Sequence, residues 1–415
     1  MQGRILRGSL VVSVDDPVCV DGGLVITPHG VVSASGPWEE VAARAGPTLP
    51  VVDLRPNWIV PGMIDIHVHL TLPGDGTPAY RYYLDHTPEF LLLTAQRNAV
   101  AALRAGVTTL RDCGGPARVV VGLRDAIRHG LVRGPRLFLS GPPMTITGGH
   151  MHYMGGEVDS ADSVRAFSRG LLRQGVDFLK MVASGGGTPG AERMLTTFTV
   201  EELRAAREEA RRFGAHLAVH ASNLCATRQV VEAGVDTLEH AILTTPEKSN
   251  NFDAGLAERM ARDGVIVSPT LSPMLGTIRK LEAEKAEGTL TPEDAATLDS
   301  MSRRTEAKVK NCARLLGMGV PIASTTDAGW RINHFGDYAD CLELLVDAGV
   351  PSSEVFRSAT QVPARALNQG DVLGQLRPGA WADAVVLRGN PLEDIRAVRE
   401  VIDVYLGGKE CREVT

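Results

Sequence analysis

The chain has 415 residues, 44% of them hydrophobic and 22% charged, with a formal net charge of −6, which describes an ordinary soluble protein with room for a large catalytic domain and a smaller one. Mild acidity without long charge runs argues against nucleic-acid binding and against a polybasic membrane patch. No apolar stretch approaches the ~18 residues of a membrane helix, no apolar leader follows Met1, and six scattered cysteines without a C-x-x-C pair read as reduced thiols of a cytoplasmic protein.

Residues 1–58 carry short apolar runs broken by turns, at 9–14, 23–26, 30–33 and 51–54, which predict strands of a small β unit. The next run, Ile59-Val-Pro-Gly-Met-Ile-Asp-Ile-His-Val-His69, ends in two histidines one residue apart. On a strand, residues i and i+2 share a face, so both imidazoles can reach one metal ion. From here strand and helix patterns alternate. Strands are predicted at 64–69, 107–112, 136–140, 177–182, 216–220, 237–240, 265–269 and 321–327, with helices at 89–105, 163–174, 200–213, 225–233 and 292–316 between them. Thr199-Val-Glu-Glu202 is a helix start, with Thr at the N-cap and Glu three residues on. Eight β/α units over roughly 300 residues predict an α/β fold with a parallel sheet closed as a (β/α)8 TIM-like barrel. The rival open doubly wound sheet wants a Gly-rich phosphate turn after its first strand, and none is present. Strand-like stretches return at 382–388 and 401–406. Both ends are expected to pair into one small β-sandwich, with its first part over 1–58, the barrel over 59–369 and its second part over 370–415.

In a parallel barrel, function collects at the C-terminal ends of the strands. Those ends carry His67 and His69, Lys180, His220, His240 and Asp327, in a chain with only 11 histidines. Neutral imidazole and carboxylate are ordinary ligands of Zn²⁺ and similar ions. Lysine is a donor only, but a free amine can take up CO₂ as a carbamate, whose two oxygens can bridge two ions ~3.5–4 Å apart. His67 and His69 would hold one ion with Asp327, and His220 and His240 the other. Ligand type puts Zn²⁺ first, with Mn²⁺, Co²⁺ and Fe²⁺ as alternatives.

These residues resemble the amidohydrolase superfamily over nearly the whole chain, including the split β unit. Pro61-Gly-Met-Ile-Asp-x-His-x-His69 and Gly379-x-x-Ala-Asp383 are specific matches. Gly106-Val-Thr-Thr-Leu-Arg-Asp112, Thr147-Gly-Gly-His150, Phe178-Leu-Lys-Met-Val-Ala-Ser-Gly-Gly186 and Ala233-Gly-Val-Asp-Thr-Leu-Glu-His240 are similar to the imidazolonepropionase-like branch of metal-dependent dipeptidases and carboxypeptidases. The resemblance implies two divalent metal ions and a carboxylated Lys180 (N6-carboxylysine) bridging them. After His220 the chain departs from that branch, reading Ala221-Ser-Asn-Leu-Cys-Ala-Thr-Arg228 where a Gly-rich loop is usual.

The ligands imply a mechanism. Two ions lower the pKa of a bridging water, giving hydroxide near neutral pH. Asp327 would accept its proton and deliver it to the leaving amine. His150 is the candidate to stabilise the oxyanion, His152 and Tyr153 are expected to line the pocket, and Arg228 and Arg331 to hold a substrate carboxylate as bidentate forks. Ser184–Gly187 reads either as a segment for close backbone approach to substrate or as a simple loop. Cys113 reads as a small buried residue rather than a nucleophile, His29, His86 and His129 as surface residues, and 282–296 as part of a solvated helix pair.

The expectation is a binuclear hydrolase cleaving the amide bond of a dipeptide or an N-acyl amino acid, acting on a small molecule without nucleic-acid or membrane partners and compatible with a homo-oligomer. A second reading keeps the site and changes the bond to a cyclic amide, carbamate, lactone or phosphotriester. Deamination is disfavoured because mononuclear relatives commonly carry Glu where this chain has Asn223, and lack the lysine. An inactive scaffold should have lost ligands, and every one is intact.

Overall fold

The computed structural model describes residues 3–45, 48–241 and 252–411. Fourteen strands are assigned among them. The N-terminal ones are β1 (Arg4–Leu10), β2 (Cys19–Ile26), β3 (Val32–Pro37) and β4 (Val51–Pro61). The central ones are β5 (Met63–Val68), β6 (Val107–Asp112), β7 (Arg136–Leu139), β8 (Phe178–Val182), β9 (His216–His220), β10 (Thr237–Glu239) and β11 (Ile266–Ser268). The C-terminal ones are β12 (Ala384–Leu387), β13 (Val401–Leu406) and β14 (Lys409–Glu410).

Both ends of the chain share one sheet, in the order β14-β13-β12-β4-β1-β2-β3. Alternation along β1 explains its two faces. Leu6 packs with Leu24, Ile59 and Val386 on one side, while Ile5 packs with Val25 and Val41 on the other, under the helix Trp38–Ala45. The expected pairing of the two ends is therefore observed, but as a single seven-stranded sheet. No second sheet facing it, as a sandwich needs, is assigned among the described residues.

The central strands form two parallel arcs, β5-β6-β7 and β8-β9-β10-β11. Single parallel bridges, Met144 to Met181, Val267 to Ile322 and Val68 to Ala328, link the arcs at both ends. The eighth strand expected at 321–327 does not form as a strand. Pro321 has no N–H to pair, and Asp327 takes a left-handed φ of 62°, which interrupts the extended run and leaves only isolated bridges at Ile322 and Ala328. What is assigned is therefore two linked arcs rather than one continuous closed barrel.

The central strands are buried on both faces, as parallel strands flanked by helices are. Helices begin at side-chain caps: Thr87 before Pro88–Arg104, Ser160 before Ala161–Arg173, Asn223 before Leu224–Ala233 and Thr291 before Pro292–Gly317. Thr199 and Glu202 form the predicted reciprocal capping box of Val200–Arg212. The predicted solvated helix pair is Leu275–Glu287 followed by Pro292–Gly317. All six cysteines are free, with Cys113 buried. Among the described residues no helix is long and apolar enough to cross a membrane.

Candidate metal centre

Polar side chains on otherwise apolar buried strands point into one interior. Arg111 on β6 is 1% exposed and spans that interior, donating to the carbonyl of Ile66 at 2.6 Å and to Glu239 Oε1 on β10 at 2.6 Å. The other oxygen, Oε2, lies 2.6 Å from His67 Nδ1. The Arg111 charge and the His67 contact outweigh burial and hold the Glu239 carboxyl well below the usual range. A carboxylate on Nδ1 fixes the tautomer of His67 and leaves Nε2 as a lone pair turned to the cavity.

His67, His69, Lys180, His220, His240 and Asp327 all line that cavity, whose volume is about 90 Å³. Ring centroids of His67 and His69 are 5.6 Å apart, those of His67 and His240 5.0 Å, and those of His220 and His240 4.3 Å. Asp327 Oδ1 is 3.3 Å from His69 Nε2 and 3.6 Å from His67 Nε2. Register explains the convergence: on neighbouring strands Val182 pairs with His220, which pairs with Glu239, and His240 follows directly.

The electrostatics suit cation binding. Burial pushes His67 down to about 4, and holds His220 and His240 well below the ordinary imidazole value. The rings are therefore neutral, as ligands must be. Burial tends to raise Asp327, but its hydrogen bond with His69 Nε2 helps to hold it below the carboxylate range. Lys180 is 1% exposed, and its Nζ has no hydrogen-bond partner among the described residues. A buried amine without a partner is costly unless something completes it.

Among the described residues, two three-residue sets are close enough to hold an ion. The first, His67, His240 and Asp327, has ligand atoms within 4.8 Å of one another and takes one imidazole from each expected pair. The second, His67, Cys113 and Glu239, is a poor candidate. Burial raises the Cys113 thiol to about 12, and Glu239 is already satisfied by Arg111 and His67.

His150 also lines the cavity. Its Nδ1 lies 2.7 Å from Thr188 Oγ1 and accepts from the Thr188 N–H at 3.3 Å, so the proton belongs on Nε2. Burial takes the ring down to about 3, so it is neutral. A Cβ on Gly186 would stand 2.2 Å from His150 Cδ2, which is why only glycine fits the loop there.

The substrate-binding candidates divide. Arg331 lines the cavity, and Trp330 beside it sits 5.5 Å from the His150 ring. Arg228 does not reach it: on the outer side of Leu224–Ala233 it is exposed and paired with Asp253 at 2.7 Å. The loop after His220 does face the site, but through Ser222, while Asn223 caps the helix and turns Arg228 away. His152 and Tyr153 also lie outside this cavity: His152 Nδ1 contacts the Gly149 carbonyl and Tyr153 packs on Tyr83. Glu239, Arg111, Thr270 and Lys308 escaped the sequence reading. Charged residues inside buried strands were the signal for the first two. Thr270 holds His240 Nδ1 at 2.8 Å and accepts from Lys308, pairings with no local pattern.

The sequence profile of the amidohydrolase family matches residues 58–411, as the resemblance implied. Ochratoxinase from Aspergillus niger is 28% identical over 388 residues, covering 85% of this chain and 75% of its own. An imidazolonepropionase from Streptomyces griseus is 24% identical over 395 residues, covering 90% and 85%. Among solved structures, a Xaa-Pro dipeptidase with methionine bound in its active site is similar at a TM-score of 0.84 and 25% identity, over 98% of this chain and 99% of that one. A prolidase complexed with N-methylphosphonate-L-proline is similar at a TM-score of 0.81 and 26% identity, over 98% and 99%.

Proposed function

The chain belongs to the amidohydrolase family, and from that premise we propose that it hydrolyses the amide bond of a dipeptide or N-acyl amino acid at a centre of two divalent ions. The observation that carries this reading is the Lys180 Nζ, without a hydrogen-bond partner among the described residues and buried in one cavity with five histidines and Asp327. His67, His69, His220, His240 and Asp327 would hold the ions, with Zn²⁺ first by donor type. Lys180 would join them as a carbamate, its amine bonding to CO₂ with loss of a proton. The same reading takes the two linked arcs as an eight-stranded barrel over 59–369 and the shared terminal sheet as part of a sandwich.

Bound there, the ions supply polarisation of the scissile carbonyl and acidification of water. The chain's own residues supply the rest. Asp327, ionised and on the cavity wall, accepts the proton of the attacking water and returns it to the leaving nitrogen. His150 presents its Nε2–H to the oxygen on which charge develops. Arg331 meets a substrate carboxylate. The amide bond of the relatives named as prolidase and dipeptidase is the bond type adopted for this chain.

A screen of dipeptides and N-acyl amino acids on metal-loaded protein tests this. Turnover is expected, with kcat/KM falling by about 10²–10⁴ in Asp327→Asn and by a similar factor in Lys180→Ala. Activity confined to cyclic amides or esters, with every linear amide untouched, would overturn the proposal.

A further inference from the structure

Besides Lys180, four cationic side chains line the cavity, Arg193, Arg304, Lys308 and Arg331, against a single carboxylate among the described residues, Asp327. Lys308 is occupied, donating to the carbonyl and hydroxyl of Thr270 at 2.7 and 3.1 Å. The three arginines are not. Among the described residues none has a carboxylate in ion-pair reach, whereas several arginines elsewhere are paired, as Arg169 is with Glu209 and Arg399 with Glu343.

The three arrive from separate parts of the fold. Arg193 lies in the loop after β8, Arg304 on the helix Pro292–Gly317, and Arg331 just past Asp327. Their placement is built. A Cβ on Gly185 would meet the Glu192 carbonyl at 2.0 Å, so glycine there lets the Arg193 segment close over the strand end. Asn223 Nδ2 donates to the Arg193 carbonyl at 3.1 Å. Arg331 is held at a left-handed φ of 62°, a conformation that costs a non-glycine residue free energy and tends to mark ligand sites. The like charges act on one another: burial, then Arg304 and Arg331, take Arg193 down to about 10. An anion among the three would relieve that repulsion.

One α-carboxylate is matched by one guanidinium fork, which leaves the other two without a counter-charge. Part of the wall is apolar and adaptable, with Met151, Met274, Met301 and Trp330. We propose that the amine half of the substrate is a dicarboxylic amino acid, its two carboxylates held by Arg193, Arg304 and Arg331, and that the acyl half is apolar. This rests on the amide-hydrolase reading above.

The test is a matched pair with one apolar acyl group, N-acyl-glutamate and N-acyl-glutamine, measured on the metal-loaded enzyme both as kcat/KM and, for the Asp327→Asn protein, as Kd by calorimetry. Glutamate is expected to be preferred by about tenfold or more, and the ratio to fall toward one in Arg193→Gln and Arg304→Gln while Arg304→Lys retains most of it. Equal handling of the pair, or a ratio unmoved by the arginine variants, overturns the inference even if amides are cleaved. Selective glutamate binding without cleavage of either compound would sink the hydrolase reading and leave the carboxylate site standing.

Discussion

Glu239 shows how one side chain serves both stability and chemistry. Its two oxygens are divided between Arg111 and His67, so the carboxylate balances a buried guanidinium and aims an imidazole. In Glu239→Gln, metal affinity should fall about 10–100-fold, because partners behind a liganding histidine act on that scale. Competition with a chromophoric chelator measures this, and unchanged affinity would mean that His67 is not a ligand. The site histidines and Lys180 were readable in the sequence because a buried strand has no packing use for such groups. Glu239 was visible in the same segment, but its partner Arg111 lies 128 residues away, and only folding discloses the pair. Arg228 misled for the opposite reason. A charged residue in a loop facing the site need not itself face it, and here the Asn223 cap sets the helix so that Arg228 reaches Asp253 instead.

At the scale of elements, ion pairs tie the outer helices together. Asp340, buried on Tyr338–Asp347, accepts from Arg279 on Leu275–Glu287 and from Arg399 near β13. Burial tends to raise this carboxyl, but the two arginine hydrogen bonds hold it below its ordinary value. A folded pKa below the unfolded one stabilises the fold above the unfolded value, and the contribution is lost as pH falls through the folded value. Asp340→Asn should therefore cost about 1 kcal/mol near neutrality, the half-exposed guanidiniums being screened. The Tm gap to the parent should be full above about pH 5 and close on acidification. A gap that does not change with pH would assign the loss to packing. Helix starts were legible because caps are local chemistry, as at Thr199. The failed strand at 321–327 was not: its apolar pattern fits a strand, while the left-handed backbone at Asp327 answers to the site it serves.

Across the whole molecule, strands from both termini meet in one sheet beside the arcs that carry the site. That pairing was legible because neither terminal segment could bury its apolar face alone. Whether a second sheet would face it was not, since strand patterns give faces and not layers. Candidate ligands drawn from elements across the chain also imply that ions bound by them should stabilise the entire fold. An ion at 100 times its Kd contributes about 2.7 kcal/mol. Dialysis against a chelator should lower the calorimetric Tm, and adding Zn²⁺ back should restore it; an unmoved Tm would separate the ions from the fold. The most direct test of the central claim is elemental analysis of purified, fully active protein. About two divalent ions per chain, with the count dropping in His220→Ala, is the result expected; a single tightly held ion at full activity would contradict it.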